Sequence, residues 1–416
     1  MNYKKSTLTY KQASRNDIGF MNVDWQDRIN FPRLREERQA KIRQIMSESD
    51  IDILACWRYE NNRYMHSVRC HEWPTHIMMW SAVMFREGPP VVWGMDKETS
   101  ESLMPDFDPA NMMEELRLGE LEPYTGQWAK ELKEHCSRRK IKPRKIAIDA
   151  MTIALLQAVQ KEFPEAEIVD GHFYMYLCRA VKTVDEIRCL VAAYMLTAAG
   201  MEKARALLKE AGMRECELLG EAYKVMYGLG SEWVQCSNIV CSGDYTNPYR
   251  RFTSDRIIQP RDLVIIDIGG RFNGYYGDFT RTFYAGSEGL EPTKEQKEIY
   301  QRCYDALRRV EKAAKPGNTT ADLWKAATPE CVWGGFLGHG IGIGPAEFPP
   351  LNKESISTPF ELQPGMVFSV EPYVGRYGVG GVRLEDNFVI TEDGCAVLGP
   401  FPHDPRLCDE KPVSKY

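Results

Sequence analysis

No stretch of this chain approaches the roughly 20 consecutive apolar residues that a membrane-crossing helix needs. A positive excess is also missing. Lys and Arg number 53 against 59 Asp and Glu, a formal net charge of −6, so no overall basic field is available to hold nucleic acid or an anionic membrane surface. The expected partners therefore include neither. The first twenty residues carry Lys4, Lys5, Lys11 and Arg15 but no apolar core of a secretory signal, and export by that route is not expected. The twelve cysteines, from Cys56 to Cys408, contain no C-x-x-C pair and lack the density of a disulfide scaffold. They read as reduced, mostly buried thiols of a cytoplasmic protein.

What is present is ordinary globular text: 43% hydrophobic and 27% charged residues over 416 positions, enough for two or three domains at about 150 residues each. Residues 1–30 are polar and irregular and read as an N-terminal surface arm. Residues 31–180 read as an α/β domain. Leu34, Ile42, Ile45 and Met46 suit an amphipathic helix, followed by a strand over Ile51–Trp57. Strands at Met78–Phe85 and Pro90–Gly94 flank a hairpin signal, and helices and strands alternate from Trp128 to Val169. Thr183 to Glu186 forms a capping-box pattern opening a long helix, which puts a boundary near 180. From there to 416 the pattern predicts an α+β domain. After a second helix at Glu215–Tyr227, strands are expected at Ser237–Cys241, Leu263–Ile268, Gly274–Tyr284, Met366–Val370 and Val382–Ile390. One helix, Thr293–Ala314, interrupts them.

The stretch from Asp262 to Phe283 carries the chemistry. Asn273-Gly274 is a strong two-residue hairpin turn, which sets Asp267 opposite Thr280 and Gly269 opposite Asp278. Both carboxylates then project from one sheet face. An ionised Asp in an apolar strand is costly to bury unless a positive group meets it. No Lys or Arg of the hairpin is well placed on that face, so a bound cation is the economical answer. Three further candidates follow. His339 lies among glycines in Gly338 to Gly344, which would let the backbone pass close to something bulky. Glu371 ends an apolar strand, and Glu385 falls opposite it if the chain turns about Gly378. Four carboxylates and one imidazole suit two divalent ions of Mn, Fe, Co or Zn type.

In this order, Asp267, Asp278, His339, Glu371, Glu385, the sequence resembles the pita-bread metalloenzymes, the family of methionine aminopeptidase, aminopeptidase P, prolidase and creatinase. The resemblance covers nearly all of residues 30–400 and implies a creatinase-type N-terminal domain followed by a pita-bread catalytic domain. It also implies that Asp267 chelates one metal, His339 and Glu371 the other, and that Asp278 and Glu385 bridge. A metal-bridging water or hydroxide would be the nucleophile, with Glu371 managing its proton. Arg383 would lie behind the ligands and orient Glu385. A homodimer is implied, with first-domain aromatics reaching a neighbouring subunit's pocket.

Two positions depart from the family peptidases. Their histidine in a Pro-His-x-x-Pro-Thr-Asp-Arg stretch is replaced by Arg250, a fixed cation suited to a substrate carboxylate, and a second histidine, seven residues after His339, is Ala346. Local motifs at Thr246 to Tyr249, Asn62 to Tyr64 and Trp73 to His76 look like the branch that cleaves dimethylsulfoniopropionate. That branch's Asp–x–Asp pair is missing, because Ile265 precedes Asp267 by two, and so is its Asp base near Pro345-Ala346. The expected function is a dinuclear metal-dependent hydrolase of an amide or C–N bond in a small, carboxylate-bearing substrate such as a dipeptide. Tyr249, Arg250, Trp73 and His76 are the expected substrate residues. A lyase of the dimethylsulfoniopropionate-cleaving type, with Glu347, Tyr249 or Tyr373 as base, is the alternative. A catalytically silent binding protein on the same fold is the third reading.

Overall fold

The computed structural model describes residues 9–13, 29–67, 69, 80–94, 112–113, 122–234, 238–327 and 331–408. The described residues divide into two compact units, one over Asn30–Arg179 and the other from Ala180 onward together with residues 9–13. Within the stretch expected to be an arm, Tyr10–Ala13 is helical. Ala13 is fully buried, and the Tyr10 amide donates to Glu392 Oε1 at 3.0 Å.

The first unit is built on a six-stranded mixed sheet. Its strands are β1 (Ile53–Cys56), β2 (Ser81–Phe85), β3 (Val91–Trp93), β4 (Met112–Met113), β5 (Lys145–Ile148) and β6 (Glu167–Asp170), in the order β4-β3-β2-β1-β5-β6. β2 and β3 form the hairpin signalled by Arg86 to Gly88. Asn30 caps the helix Phe31–Glu48 by accepting from the Arg33 amide. Trp57, Trp93 and Trp128 pack in the core of this unit, so these first-domain aromatics serve packing.

In the second unit the helix Val184–Leu207 opens with the expected capping box: Thr183 N–H donates to Glu186 Oε2 at 2.9 Å and Glu186 N–H to Thr183 Oγ1 at 3.3 Å. This helix backs a three-stranded sheet of β7 (Ile239–Ser242), β8 (Leu263–Phe272) and β9 (Tyr275–Tyr284), ordered β7-β8-β9. Thr197 fastens them together, its hydroxyl donating to the Gly277 carbonyl at 2.6 Å and accepting from the Gly270 amide at 2.8 Å. A Cβ at Gly277 would sit 2.4 Å from Ala193 backbone, so glycine alone permits this approach.

A second sheet contains β10 (Phe336–Gly340), β11 (Glu347–Asn352), β12 (Val367–Val370), β15 (Asp386–Ile390) and β16 (Cys395–Leu398), ordered β11-β10-β12-β15-β16, with β13 (Tyr373–Arg376) and β14 (Gly380–Arg383) as a separate hairpin. The expected single strand Val382–Ile390 is in fact β14 and β15. The break at Leu384-Glu385 lets the chain leave one sheet and enter the other. A second helix, Thr320–Ala327, accompanies Lys294–Ala313. Among the described residues no helix is long and apolar enough to cross a membrane.

Candidate metal centre

Registers explain why distant residues meet. Asn273 and Gly274 both have positive φ, 47° and 84°, the combination a type I′ turn requires, and the hairpin pairs Asp267 with Thr280 and Gly269 with Asp278. Ile239 of β7 lies on the other side of Asp267. In the second sheet, His339 pairs with Ser369 and Ser369 with Asn387, a row across β10, β12 and β15. Glu371 stands two residues beyond Ser369 and Glu385 two before Asn387, so alternation keeps them on the face of that row. The β13–β14 hairpin pairs Tyr373 with Arg383, one step inside the two glutamates.

Ligand atoms of Asp278, His339 and Glu385 all lie within 4.8 Å of one another. Glu371 joins through His339, its Oε1 3.4 Å from Nε2. Asp267 is fully buried and reached through Arg383, whose guanidinium pairs with both Asp267 and Glu371. A positive side chain thus does meet Asp267, supplied from β14 rather than from the hairpin itself. Arg383 also lies 3.3 Å from Thr280 Oγ1 and 3.4 Å from the Tyr249 hydroxyl. Its carboxylate partners are Asp267 and Glu371, whereas Glu385 is oriented by two hydroxyls: Thr280 donates to Oε2 at 2.6 Å and Ser369 to Oε1. Asn387 donates to the Asp278 carbonyl. Thr280 is expected opposite Asp267 but without this role, and Ser369 and Asn387 carry no expectation, although their parity with the acidic residues marks them.

The chemistry of the donor set fits divalent cations. Four buried carboxylates face one guanidinium, which leaves three formal negative charges without compensation in a region shielded from water. Asp267 Oδ1 has no hydrogen-bond partner among the described residues. Burial, then the neighbouring Asp267, raises the Glu385 carboxyl above the ordinary carboxylate range, the behaviour of an acid group short of positive charge. Burial lowers His339 to about 4, so its ring is neutral. Its Nδ1 lies 2.8 Å from the Gly340 carbonyl, which can only accept, so Nδ1 carries the proton and Nε2 presents a lone pair. The glycines beside His339 answer to backbone rather than to a ligand. A Cβ at Gly338 would lie 2.0 Å from the Ser369 carbonyl oxygen, and one at Gly340 2.5 Å from that of Phe348.

The expected substrate residues separate. Tyr249 is buried and stacks on Tyr373 with centroids 5.5 Å apart, and burial raises its hydroxyl pKa. Arg250 is engaged elsewhere: its Nη2 lies 3.3 Å from buried Glu215 and 2.9 Å from Ser254 Oγ, and its guanidinium stacks 3.6 Å from the Tyr245 ring centroid. Tyr249, not Arg250, therefore faces the carboxylates where the resemblance placed a histidine. Trp73 and His76 lie outside the described residues. Glu347, a candidate base for elimination, forms a buried ion pair with Lys182 at 3.2 Å and accepts from the Gly344 amide at 2.8 Å.

Two antiparallel sheets that bring together ligand atoms of Asp278, His339 and Glu385, with Glu371 beside His339 and Asp267 joined through Arg383, form the centre of a metal-dependent hydrolase of the pita-bread fold. The chain belongs to metallopeptidase family M24, whose model matches residues 188–392. It is 31% identical over 263 residues to an uncharacterized peptidase of Bacillus subtilis, covering 62% of this chain and 72% of that one. It is 34% identical over 227 residues to an Xaa-Pro dipeptidase of Pyrococcus furiosus, covering 53% of this chain and 63% of that relative. Among solved structures, an Xaa-Pro dipeptidase from Bacillus anthracis superposes with a TM-score of 0.73 at 24% identity, over 89% of this chain and 98% of that one. A prolidase from Pyrococcus horikoshii gives 0.72 at 22%, over 88% and 99%. At these identities the two structures speak for the fold.

Proposed function

We propose that this protein hydrolyses an amide bond of a small carboxylate-bearing substrate, such as an Xaa-Pro dipeptide, with two divalent ions held by Asp267, Asp278, His339, Glu371 and Glu385. We further infer a cytoplasmic homodimer. The observation that carries the proposal is the approach of Asp278, His339 and Glu385 ligand atoms to within 4.8 Å in a buried setting. The names of the Pyrococcus furiosus and Bacillus anthracis relatives support the substrate class. Divalent ions, when bound, supply Lewis acidity and lower the pKa of water toward neutrality.

The protein's own groups supply the rest. Glu371, 3.4 Å from the neutral His339 ring, is the carboxylate placed to hold a proton during cleavage. Thr280 and Ser369 fix Glu385 through hydroxyl donors and leave its remaining lone pairs directed at the site. Tyr249, kept protonated by burial, is a hydrogen-bond donor at the wall. Elimination has no equivalent support, because Glu347 is neutralised by Lys182. Protein reconstituted with Mn, Fe, Co or Zn and supplied with Xaa-Pro dipeptides in oxygen-18 water is expected to place label in the new carboxylate. Dimethylsulfoniopropionate, tested in parallel, is expected to remain intact. Label-free product, or release of an alkene, would overturn the hydrolase reading.

A further inference from the structure

A cation outside the ligand set that pairs with the substrate's free carboxylate would tell an acid from its neutral analogue. Of the guanidiniums near the ligand set, Arg383 is committed to Asp267 and Glu371, Arg281 to Asp386, and Arg250 to Glu215. Arg251 is different. It is exposed, and among the described residues it has no carboxylate partner. Its guanidinium carbon sits 4.9 Å from the Trp333 ring centroid. Trp333 in turn meets Tyr249 edge-on at 6.4 Å, and the Tyr249 hydroxyl reaches Arg383. A continuous path of contacts therefore links Arg251 to the buried carboxylates.

The backbone holds this pair in place. Trp333 and Phe336 exchange amide-to-carbonyl bonds of 3.2 and 2.9 Å around Gly334 and Gly335, whose φ values are 58° and 81°. Two consecutive left-handed residues make a tight type I′ turn that glycine accommodates without strain. The turn leads directly into β10, where the Phe336 ring stacks on His339 at 6.1 Å. Trp333 is thus tied to the strand bearing a metal ligand. Arg251 itself has a φ of 59°, an uncommon conformation for a side-chain-bearing residue. Stacking occupies the guanidinium's face and leaves its in-plane N–H groups available for a two-pronged contact with a carboxylate.

We propose that Arg251, seated on Trp333, is the specificity-determining residue that receives the free carboxylate on the leaving-group side of the substrate. This rests on the hydrolase reading above and adds the group that reads substrate charge. The test compares metal-reconstituted wild type, Arg251→Ala and Arg251→Lys on Ala-Pro and on the same dipeptide amidated at its C-terminus. A charge-assisted contact predicts a KM for the acid raised about tenfold to hundredfold in Arg251→Ala, with kcat little changed. The amide should be indifferent to the substitution, and Arg251→Lys should recover part of the loss. The same acid-to-amide ratio in wild type and Arg251→Ala would overturn the inference. Calorimetric binding of proline against prolinamide to both proteins separates the two proposals. Arg251-dependent preference for proline without turnover would refute hydrolysis and retain the Arg251 assignment, whereas no preference would refute the assignment whatever the turnover.

Discussion

Arg383→Met removes the guanidinium that pairs with the Asp267 and Glu371 carboxylates and nearly preserves its volume. The four carboxylates of Asp267, Asp278, Glu371 and Glu385 then face one another with no positive side chain between them, in a site where all four are at most 4% exposed. Deleting one partner from a buried ion pair typically costs about 3–5 kcal/mol, because the remaining charge stays desolvated. For a unit of this size that corresponds to a fall in melting temperature of about 6–20 °C. Divalent ions should reverse most of the loss, since ligand at a thousandfold excess over its Kd stabilises a protein by about 4 kcal/mol. The extra negative charge in the variant should strengthen that response. Thermal melts of the full-length wild type and variant, in chelator and in saturating Mn2+, supply the four numbers required. The variant is expected to melt far below wild type in chelator and to approach it with metal. An equal deficit under both conditions would show that Arg383 acts through packing and that its charge does not substitute for a cation.

Further outcomes follow from other buried groups. Lys182→Met should destabilise the protein by about 3–5 kcal/mol by stranding Glu347, and the double variant with Glu347→Leu should recover at least half. A loss under about 1 kcal/mol in the single variant would contradict the ion pair's burial. His66, fully buried, is lowered to about 3 by burial and then by Arg63. The unfolded chain takes up a proton at this histidine below about 6.5 and the native state does not, so its contribution is complete above that pH and is lost as pH falls toward 3. Urea titrations at pH 7.5 and 5 should show a smaller acid loss in His66→Phe, by about 2 kcal/mol. Asp149, raised to about 7 chiefly by burial, works in the opposite direction, adding stability as pH falls from about 7 toward 4. An unchanged difference in the variant would count against a neutral His66.

Local signals in the sequence were the legible ones. The Asn273-Gly274 turn sets the β8–β9 register, and a turn about Gly378 sets that of β13 and β14, so both sets of carboxylates have faces that the sequence pattern itself predicts. The capping box at Thr183 was equally direct. What escaped depends on contacts that the local sequence does not announce. Arg383 reaches Asp267 across two strands of different sheets. Gly338 and Gly340 admit neighbouring carbonyls that their own surroundings do not announce. The direction of Tyr249 and Arg250 follows from Tyr373 on one side and Glu215 on the other, neither of which is near them in sequence. The break at Leu384-Glu385 was hidden because Val382 to Ile390 reads as one apolar strand, while the fold needs a crossing between sheets at that point.

The central claim is that five residues from β8 to β15 hold two divalent ions. Elemental analysis of the full-length chain, reconstituted with Mn, Fe, Co or Zn and freed of unbound ion, measures this most directly. The account predicts close to two ions per chain in wild type and their loss in Asp278→Ala. One ion or none in wild type, or an undiminished content in Asp278→Ala, would contradict it.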